Sequence, residues 1–88
     1  MIARRAIVTG EVQGVFFRAH VADAARAAGV NGWAANRSDG SVEVHAEGDP
    51  DGVEAVLAAV REGSPRSSVA DVRVREAEPE GCWGFESR

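Results

Sequence analysis

The 88-residue sequence contains no lysine, and all ten of its basic residues are arginines. A lysine Schiff base and the lysine of a phosphate-binding P-loop are therefore both excluded. Cysteine occurs once, as Cys82, so the chain can form neither an intramolecular disulfide nor a cysteine-rich metal site. We expect Cys82 to be a half-buried, small apolar residue rather than a nucleophile.

No apolar run is long enough to span a membrane, and the N-terminus leads into a strand-like pattern without the apolar core of a signal peptide. These absences predict a cytoplasmic protein. The formal net charge is −4, whereas nucleic acids and anionic lipids are bound through basic surfaces. We therefore expect no nucleic-acid partner and no membrane partner. The length is that of one small domain, so residues 1–88 are predicted to form a single, monomeric unit.

Hydrophobic periodicity predicts the order of the secondary structure. Apolar residues at helical spacing predict one helix from Phe17 to Gly29 and a second from Asp49 to Gly63. Alternating and β-branched residues predict strands over 4–10, 31–36, 41–47 and 69–76.

This βαββαβ order predicts an α+β, ferredoxin-like fold, a sandwich with both helices on one face of an antiparallel sheet. The hairpin formed by residues 31–47 is expected to bury one face only, because apolar and polar residues alternate along its second strand. Trp83 and Phe85 predict a last short strand or a tail that covers the core.

Residues 10–18 read Gly-Glu-Val-Gln-Gly-Val-Phe-Phe-Arg and join the first strand to the first helix. Amide N–H groups at a helix N-terminus lack acceptors and carry the positive end of the helix dipole, so such a loop can hold an anion. Arg18 adds a planar set of donors that fits phosphate or carboxylate oxygens. Gly14 permits a positive φ, which lets successive N–H groups converge on one centre. The segment predicts an oxyanion pocket, with a phosphoryl group as the best fit.

The same segment resembles the acylphosphatase signature Gly-x-Val-Gln-Gly-Val-x-Phe/Tyr-Arg at every fixed position. A second signature of that family is similar to residues 32–48, through Gly32, Trp33, Ala34, Ala35, Asn36, Gly40, Val42 and Gly48. Gly63-Ser64-Pro65 and the following valine-rich run also resemble the family, so the likeness extends over essentially the whole chain. The family fold is ferredoxin-like, in agreement with the periodicity.

The resemblance implies hydrolysis of the carboxyl-phosphate bond of a small-molecule acyl phosphate to carboxylate and inorganic phosphate, without a metal or an organic cofactor. It implies that Arg18 binds the substrate phosphate and that Asn36 orients the attacking water. It also implies a phosphate cradle made by the backbone amides of Gln13, Gly14, Val15, Phe16, Phe17 and Arg18.

Other side chains near these motifs are expected to be structural. We expect the Gln13 side chain to stabilise the loop, and Phe16, Phe17 and Trp33 to pack in the core. His20 and His45 lie on different elements and are expected to be solvated, so no metal site is predicted. A solvated surface is expected for Asp49, Asp51, Glu76, Glu78 and Glu80.

Two positions depart from the family pattern. The family often carries a basic residue where Glu11 stands, and another where Ala35 stands. Both changes lower the local positive potential, which predicts weaker phosphate binding or slower encounter with an anionic substrate.

Two other functions remain open at this stage. One is a non-catalytic module that binds an anion or an acyl or carbamoyl phosphate, since acylphosphatase-like domains also occur inside larger hydrogenase-maturation proteins. The other is an RNA-recognition module, which has the same βαββαβ order. The latter is disfavoured because the third strand, residues 41–47, has no aromatic residue for base stacking and carries Glu43 and Glu47.

Overall fold

The computed structural model describes residues 1–88 and confirms the predicted order of elements. A short fifth strand follows the βαββαβ unit. The elements are β1 (Ile2–Glu11), α1 (Phe17–Ala27), β2 (Asn31–Asn36), β3 (Val42–Gly48), α2 (Pro50–Glu62), β4 (Ser68–Glu76) and β5 (Phe85–Ser87). The helices contain 11 and 13 residues, and neither has the length and apolar content needed to cross a bilayer.

The strands form one sheet in the order β4-β1-β3-β2-β5. The pairs β1–β3, β1–β4 and β2–β3 are antiparallel, as predicted. Strand β5 pairs in parallel with residues Gly32–Ala34 of β2, so the complete sheet is mixed. This last pairing brings the C-terminal residues beside β2 and next to the N-terminal end of α1.

The face of the sheet that the helices cover is apolar. Val42 and Val44 of β3 lie on this face. They form one buried cluster with Phe17 and Val21 of α1 and with the apolar stripe of α2. Burial of each such side chain contributes roughly 1.5–3 kcal/mol to folding. Phe85 of β5 joins the same cluster, as predicted for the C-terminal strand, whereas Trp83 is 96% exposed and does not cover the core.

The opposite face is also covered, so the prediction of a hairpin with one buried face is wrong. The segment that we call the strap, residues 77–84 between β4 and β5, crosses this face and hydrogen-bonds to Glu47 of β3. His45 and Glu47 have exposed fractions of 0% and 1%, so the expectation of a solvated His45 is also wrong. Period-2 patterning shows which positions share a face, but it does not show that polar residues on a face can be buried when they are hydrogen-bonded.

Trp33 is buried, as predicted, but on the strap side of the sheet rather than in the apolar cluster. The cross-strand register places Arg5, His45 and Trp33 side by side on β1, β3 and β2. The Trp33 and His45 rings stack with centroids 5.7 Å apart, and the Arg5 guanidinium lies 5.2 Å from the Trp33 ring centroid. A polar and aromatic layer therefore fills this face.

Candidate active site

The segment between β1 and α1, which we call the site loop, comprises residues 12–16. Two of its residues adopt left-handed conformations, Gly14 with φ +74° and Phe16 with φ +60°. Such a value is uncommon for a residue with a side chain and costs on the order of 1–3 kcal/mol, so the surrounding contacts must hold Phe16 in place. The prediction of a positive φ at Gly14 is confirmed.

The amides of the site loop are free to bind an external acceptor. The first hydrogen bond of the helix runs from His20 N to Phe16 O, at 3.0 Å. The preceding amides of α1 have no acceptor within the helix, as at any helix start. The amides of residues 13–16 donate to no acceptor in the protein. A row of unpaired N–H groups thus leads into the positive end of α1.

Two side chains hold the site loop from opposite sides. The Gln13 amide nitrogen donates to Arg37 O at 2.7 Å and to Ser41 O at 2.9 Å, which ties the loop to the β2–β3 hairpin. The Ser64 hydroxyl, after α2, donates to Val15 O at 2.8 Å. The stabilising role expected for the Gln13 side chain is therefore observed. The role of Ser64 was missed, although it stands in the Gly-Ser-Pro helix exit.

A cavity of about 220 Å³ opens beside the site loop. Its lining residues come from the loop, the first turn of α1 and β5: Val12, Gly14, Phe16, Phe17, Arg18, Ala19 and Ser87. Arg18 is the one charged residue among them, and its guanidinium donates a hydrogen bond to the main-chain oxygen of Arg88. The cavity therefore combines one fixed cation, unpaired amides and an apolar wall.

Asn36 lies at the exposed end of β2, opposite Val42 of β3, and does not line this cavity. Its neighbours are nevertheless attached to the site on both sides. Arg37 O accepts the hydrogen bond from Gln13, and Ala34 O accepts one from Arg88 N at 2.7 Å. Of the predicted site residues, Gly14, Phe16, Phe17 and Arg18 line the cavity together, whereas Gln13, Val15 and Asn36 do not line it.

The two positions that depart from the family pattern lie outside the cavity. Glu11 is exposed at the end of β1, pairs with Ser68 of β4 and is not a lining residue. Ala35 pairs with Glu43 across β2 and β3. The Glu11 carboxylate can thus influence the site through its field but does not occupy it.

The two phenylalanines of the motif have different environments. Phe17 is buried in the apolar cluster, as predicted. Phe16 was expected to pack in the core, and this was wrong, because its side chain is 76% exposed. The left-handed conformation at the N-cap position of α1 accounts for the difference, since it directs two successive phenylalanines to opposite environments.

A second group of polar side chains lies under the strap. Glu47 accepts hydrogen bonds from the amides of Glu80, Gly81 and Cys82 at 2.7, 3.1 and 3.2 Å, and from His45 Nε2 at 2.8 Å. Burial alone would raise the pKa of Glu47, but these hydrogen bonds outweigh it and lower that pKa to about 2. Glu47 is thus a buried carboxylate held in its charged form.

Arg5 completes this group. Its Nη2 lies 3.2 Å from His45 Nδ1 and 2.5 Å from Glu80 Oε2. Because a guanidinium can only donate, His45 accepts at Nδ1 and donates to Glu47 from Nε2, which is the neutral tautomer. A hydrogen bond from the Trp33 indole, together with this arginine, lowers the pKa of Glu80, so Glu80 is not the freely solvated carboxylate that we expected.

His45, Glu47 and Cys82 offer ligand atoms within 4.8 Å of one another, so these residues could hold a metal ion. However, both ring nitrogens of His45 and both oxygens of Glu47 already have protein partners. Burial and the nearby Glu47 carboxylate raise the pKa of the Cys82 thiol, which favours its protonated form. Cys82 is half-buried, as predicted. The arrangement fits a structural hydrogen-bond network better than a metal centre.

Comparison with known proteins identifies the family of the chain. Residues 4–87 match the family model "Acylphosphatase". The chain is 49% identical over 81 residues to an acylphosphatase of Haloquadratum walsbyi, which covers 92% of this chain and 87% of that one. Its structure is similar to a crystal structure of acylphosphatase from Bacillus subtilis, with a TM-score of 0.95 and 42% identity over 100% of this chain and 99% of that one.

The structure is also similar to part of a larger protein, full-length HypF in its phosphate- and nucleotide-bound form. The TM-score is 0.90 at 30% identity, over 99% of this chain and 12% of that one. The family model, the sequence relatives and the solved structures all agree with the ferredoxin-like fold described above. The chain belongs to the acylphosphatase family, whose members are enzymes that hydrolyse acyl phosphates.

Proposed function

We propose that this chain hydrolyses the carboxyl-phosphate bond of small acyl phosphates without a metal ion, with residues 1–88 acting as one unit. The observation that carries the proposal is the cavity in which the Arg18 guanidinium stands beside the unpaired amides of the site loop. A phosphoryl group carries close to two negative charges at neutral pH, since its second pKa is about 6. One guanidinium and a row of N–H donors match that charge and its oxygens.

The chemistry of the substrate fits a site without a strong acid. An acyl phosphate is a mixed anhydride, and its leaving group is a carboxylate that departs without being protonated. The water oxygen forms a bond to phosphorus, the bond from phosphorus to the acyl oxygen breaks, and the carboxylate keeps the electron pair. The products are carboxylate, inorganic phosphate and one proton, which solvent accepts.

We assign three roles within this step. Arg18 binds the phosphoryl oxygens and stabilises the charge that develops on them. The amides of residues 13–18 form the cradle that holds these oxygens in place. The neutral Asn36 carboxamide accepts a hydrogen bond from the water and orients it for attack. Phosphoryl transfer depends mainly on positioning and electrostatic stabilisation. These residues supply both contributions.

The held geometry of the site loop supports the proposal. Gln13 and Ser64 restrain the loop before substrate arrives, so little reorganisation is needed when the phosphate binds. Arg18 lines the cavity, and its guanidinium is held by a hydrogen bond to Arg88 O. We expect Arg18 to be the largest contributor, because an arginine on a phosphoryl transition state is worth about 10³–10⁵ in rate.

The first test measures release of inorganic phosphate from acetyl and benzoyl phosphate with EDTA present. We expect turnover by the wild-type protein and a decrease in kcat/KM of about 10³–10⁵ in Arg18→Ala. Arg61→Ala is the matched control, because it removes an exposed guanidinium from α2 that has no ion pair. Absence of turnover by folded protein, or full activity in Arg18→Ala, would refute the proposal.

The alternative is a non-catalytic module that binds an acyl or carbamoyl phosphate, and the likeness to part of HypF keeps it in view. Asn36→Ala distinguishes the two. We expect the variant to lose about 10²–10³ in kcat while its affinity for inorganic phosphate stays close to that of the wild type. A wild-type protein that binds phosphate but shows no turnover would favour the binding module. A cytoplasmic location and a monomeric state both stay predictions.

A further inference from the structure

The Phe16 side chain has no structural explanation within the fold. It is 76% exposed, although the residue that follows it is buried in the core. It also stands at a left-handed position, where asparagine or glycine would be less strained. A large apolar ring that is both exposed and strained stabilises neither the core nor the backbone. We therefore consider the position of Phe16 relative to the cavity.

Phe16 lies at the border between the cradle and solvent. It lines the cavity together with Val12, Phe17 and Ala19, and Arg18 is the one charged residue there. The phosphoryl end of a bound acyl phosphate would lie against the amides and Arg18, which fixes the polar end. The acyl end can then extend from the cradle toward Phe16, which is the exposed part of the apolar wall, since Val12 and Phe17 are each only 1% exposed. No carboxylate lines that wall, since Glu11 lies outside it.

We infer that the Phe16 ring is a specificity-determining contact for the acyl group, and that the site favours acyl phosphates with an aromatic or extended apolar acyl group over acetyl phosphate. The inference rests on the proposed function, because it uses the phosphate-binding end of the same site. An aromatic acyl group can stack on the exposed ring, whereas a methyl group covers little of it.

The experiment compares kcat/KM for benzoyl and acetyl phosphate in the wild type, Phe16→Gly and Phe16→Asn. Glycine and asparagine both tolerate the left-handed conformation, so these variants should keep the backbone of the site loop. We expect the benzoyl-to-acetyl ratio to decrease roughly 3- to 10-fold in both variants. The ratio is the readout because the backbone at residue 16 also contributes to the cradle, so both absolute rates can change together.

Two further variants make the result specific to the ring at this position. Phe16→Tyr keeps the ring and should keep the wild-type ratio. Trp83→Ala removes an exposed aromatic residue that lies outside the cavity, and it should leave the ratio unchanged. A benzoyl-to-acetyl ratio that is the same in the wild type, Phe16→Gly and Phe16→Asn would overturn the inference.

Binding of benzoylphosphonate and acetylphosphonate, which cannot be hydrolysed, separates this inference from the proposed function. We expect the wild type to bind the benzoyl compound more tightly than the acetyl compound, and Phe16→Gly to lose that preference. If the wild type shows no turnover but this difference in binding is found, hydrolysis is refuted and the role of Phe16 is supported. If turnover is found and neither ratio depends on Phe16, the inference alone fails.

Discussion

The site loop and the strap differ in what their backbone N–H groups bind. Each presents successive backbone N–H groups around a glycine, and Gly14 and Gly81 share the same φ of +74°. In the strap, three such N–H groups donate hydrogen bonds to the carboxylate of Glu47 on β3. In the site loop, no side chain of the protein supplies an anion to the amides. The strap amides form a structural contact because the chain supplies their anion, whereas the site-loop amides can bind an anion from outside.

One arginine lies beside each region, Arg5 of β1 beside the strap and Arg18 of α1 beside the site loop, and their partners differ. Arg5 contacts His45 and Glu80 within the polar layer, so its charge is used inside the fold. Arg18 donates to a main-chain oxygen and has no carboxylate side chain as an ion-pair partner. The charge of Arg18 is therefore not balanced by an acidic side chain of the protein, whereas that of Arg5 is.

Removing the internal anion should destabilise the strap without affecting the site chemistry directly. We expect Glu47→Gln to lower the free energy of unfolding by about 3 kcal/mol, because it breaks a buried, hydrogen-bonded charge network. Urea unfolding measures the change. Glu54→Gln, an exposed position on α2, is the matched control and should change it by less than about 0.5 kcal/mol. A loss below about 1 kcal/mol in Glu47→Gln would show that the carboxylate is not what holds the strap.

Acid should reproduce this loss in the wild type. The pKa of Glu47 is about 2 in the fold, below its ordinary value of 4.5, so the charged form stabilises the fold above about pH 4.5. That contribution, roughly 3 kcal/mol, is lost as the pH falls through 4.5 toward 2. The difference in unfolding free energy between the wild type and Glu47→Gln should therefore shrink between pH 6 and pH 2.5. A difference that stays constant over this range would contradict the depressed pKa.

Loosening the site loop should lower both activity and stability. Gln13→Ala removes two hydrogen bonds to the β2–β3 hairpin and should cost about 1–2 kcal/mol of stability. We expect kcat/KM for benzoyl phosphate to decrease by roughly 10-fold, because the cradle amides are less well positioned. The paired measurements are urea unfolding and phosphate release. Wild-type kcat/KM in Gln13→Ala would show that the loop needs no support from the hairpin.

Loss of the hydrogen bond from Ser64 to the site loop should lower stability and kcat/KM less than Gln13→Ala does. Ser64→Ala removes one hydrogen bond to Val15 O and should cost about 1 kcal/mol of stability. Ser67→Ala, which removes a neighbouring hydrogen bond to Ser64 O, serves as its control, and it should leave kcat/KM unchanged. Equal losses of kcat/KM in the two variants would indicate a general effect of the α2–β4 connection.

The smallest change in stability is expected for Arg18→Ala. Its guanidinium makes one hydrogen bond at the protein surface, so the free energy of unfolding should change by less than about 1 kcal/mol despite the large loss of activity. Glu47→Gln should show the reverse pattern. If both variants lost stability and activity in parallel, the distinction between the two loops would fail.

The helix-covered half of the fold could be predicted from the sequence, and the strap-covered half could not. Val42 and Val44 alternate with polar residues, which correctly identifies one buried face of β3. The same alternation made His45 and Glu47 seem solvated, because their burial depends on partners that are distant along the chain, Arg5 and the strap amides. The strap has no periodicity of its own that would predict its course.

The candidate site shows a similar division. The motif predicted the loop, the positive φ of Gly14 and the bracing role of Gln13, because these depend on local residues. The exposure of Phe16 could not be predicted, since the direction of its side chain depends on a backbone conformation that is rare for phenylalanine. The support from Ser64 depends on how α2 packs against the site loop, which no local pattern reports.

The strand order also places features that disfavour pairing with other chains at both boundaries of the sheet. Its two boundaries are β4, which is exposed and carries Asp71, Arg73, Arg75 and Glu76, and β5, which has three residues. Charged side chains on one boundary and a very short strand on the other are both unfavourable templates for an incoming strand. Addition of a further strand at either boundary of this sheet is therefore disfavoured.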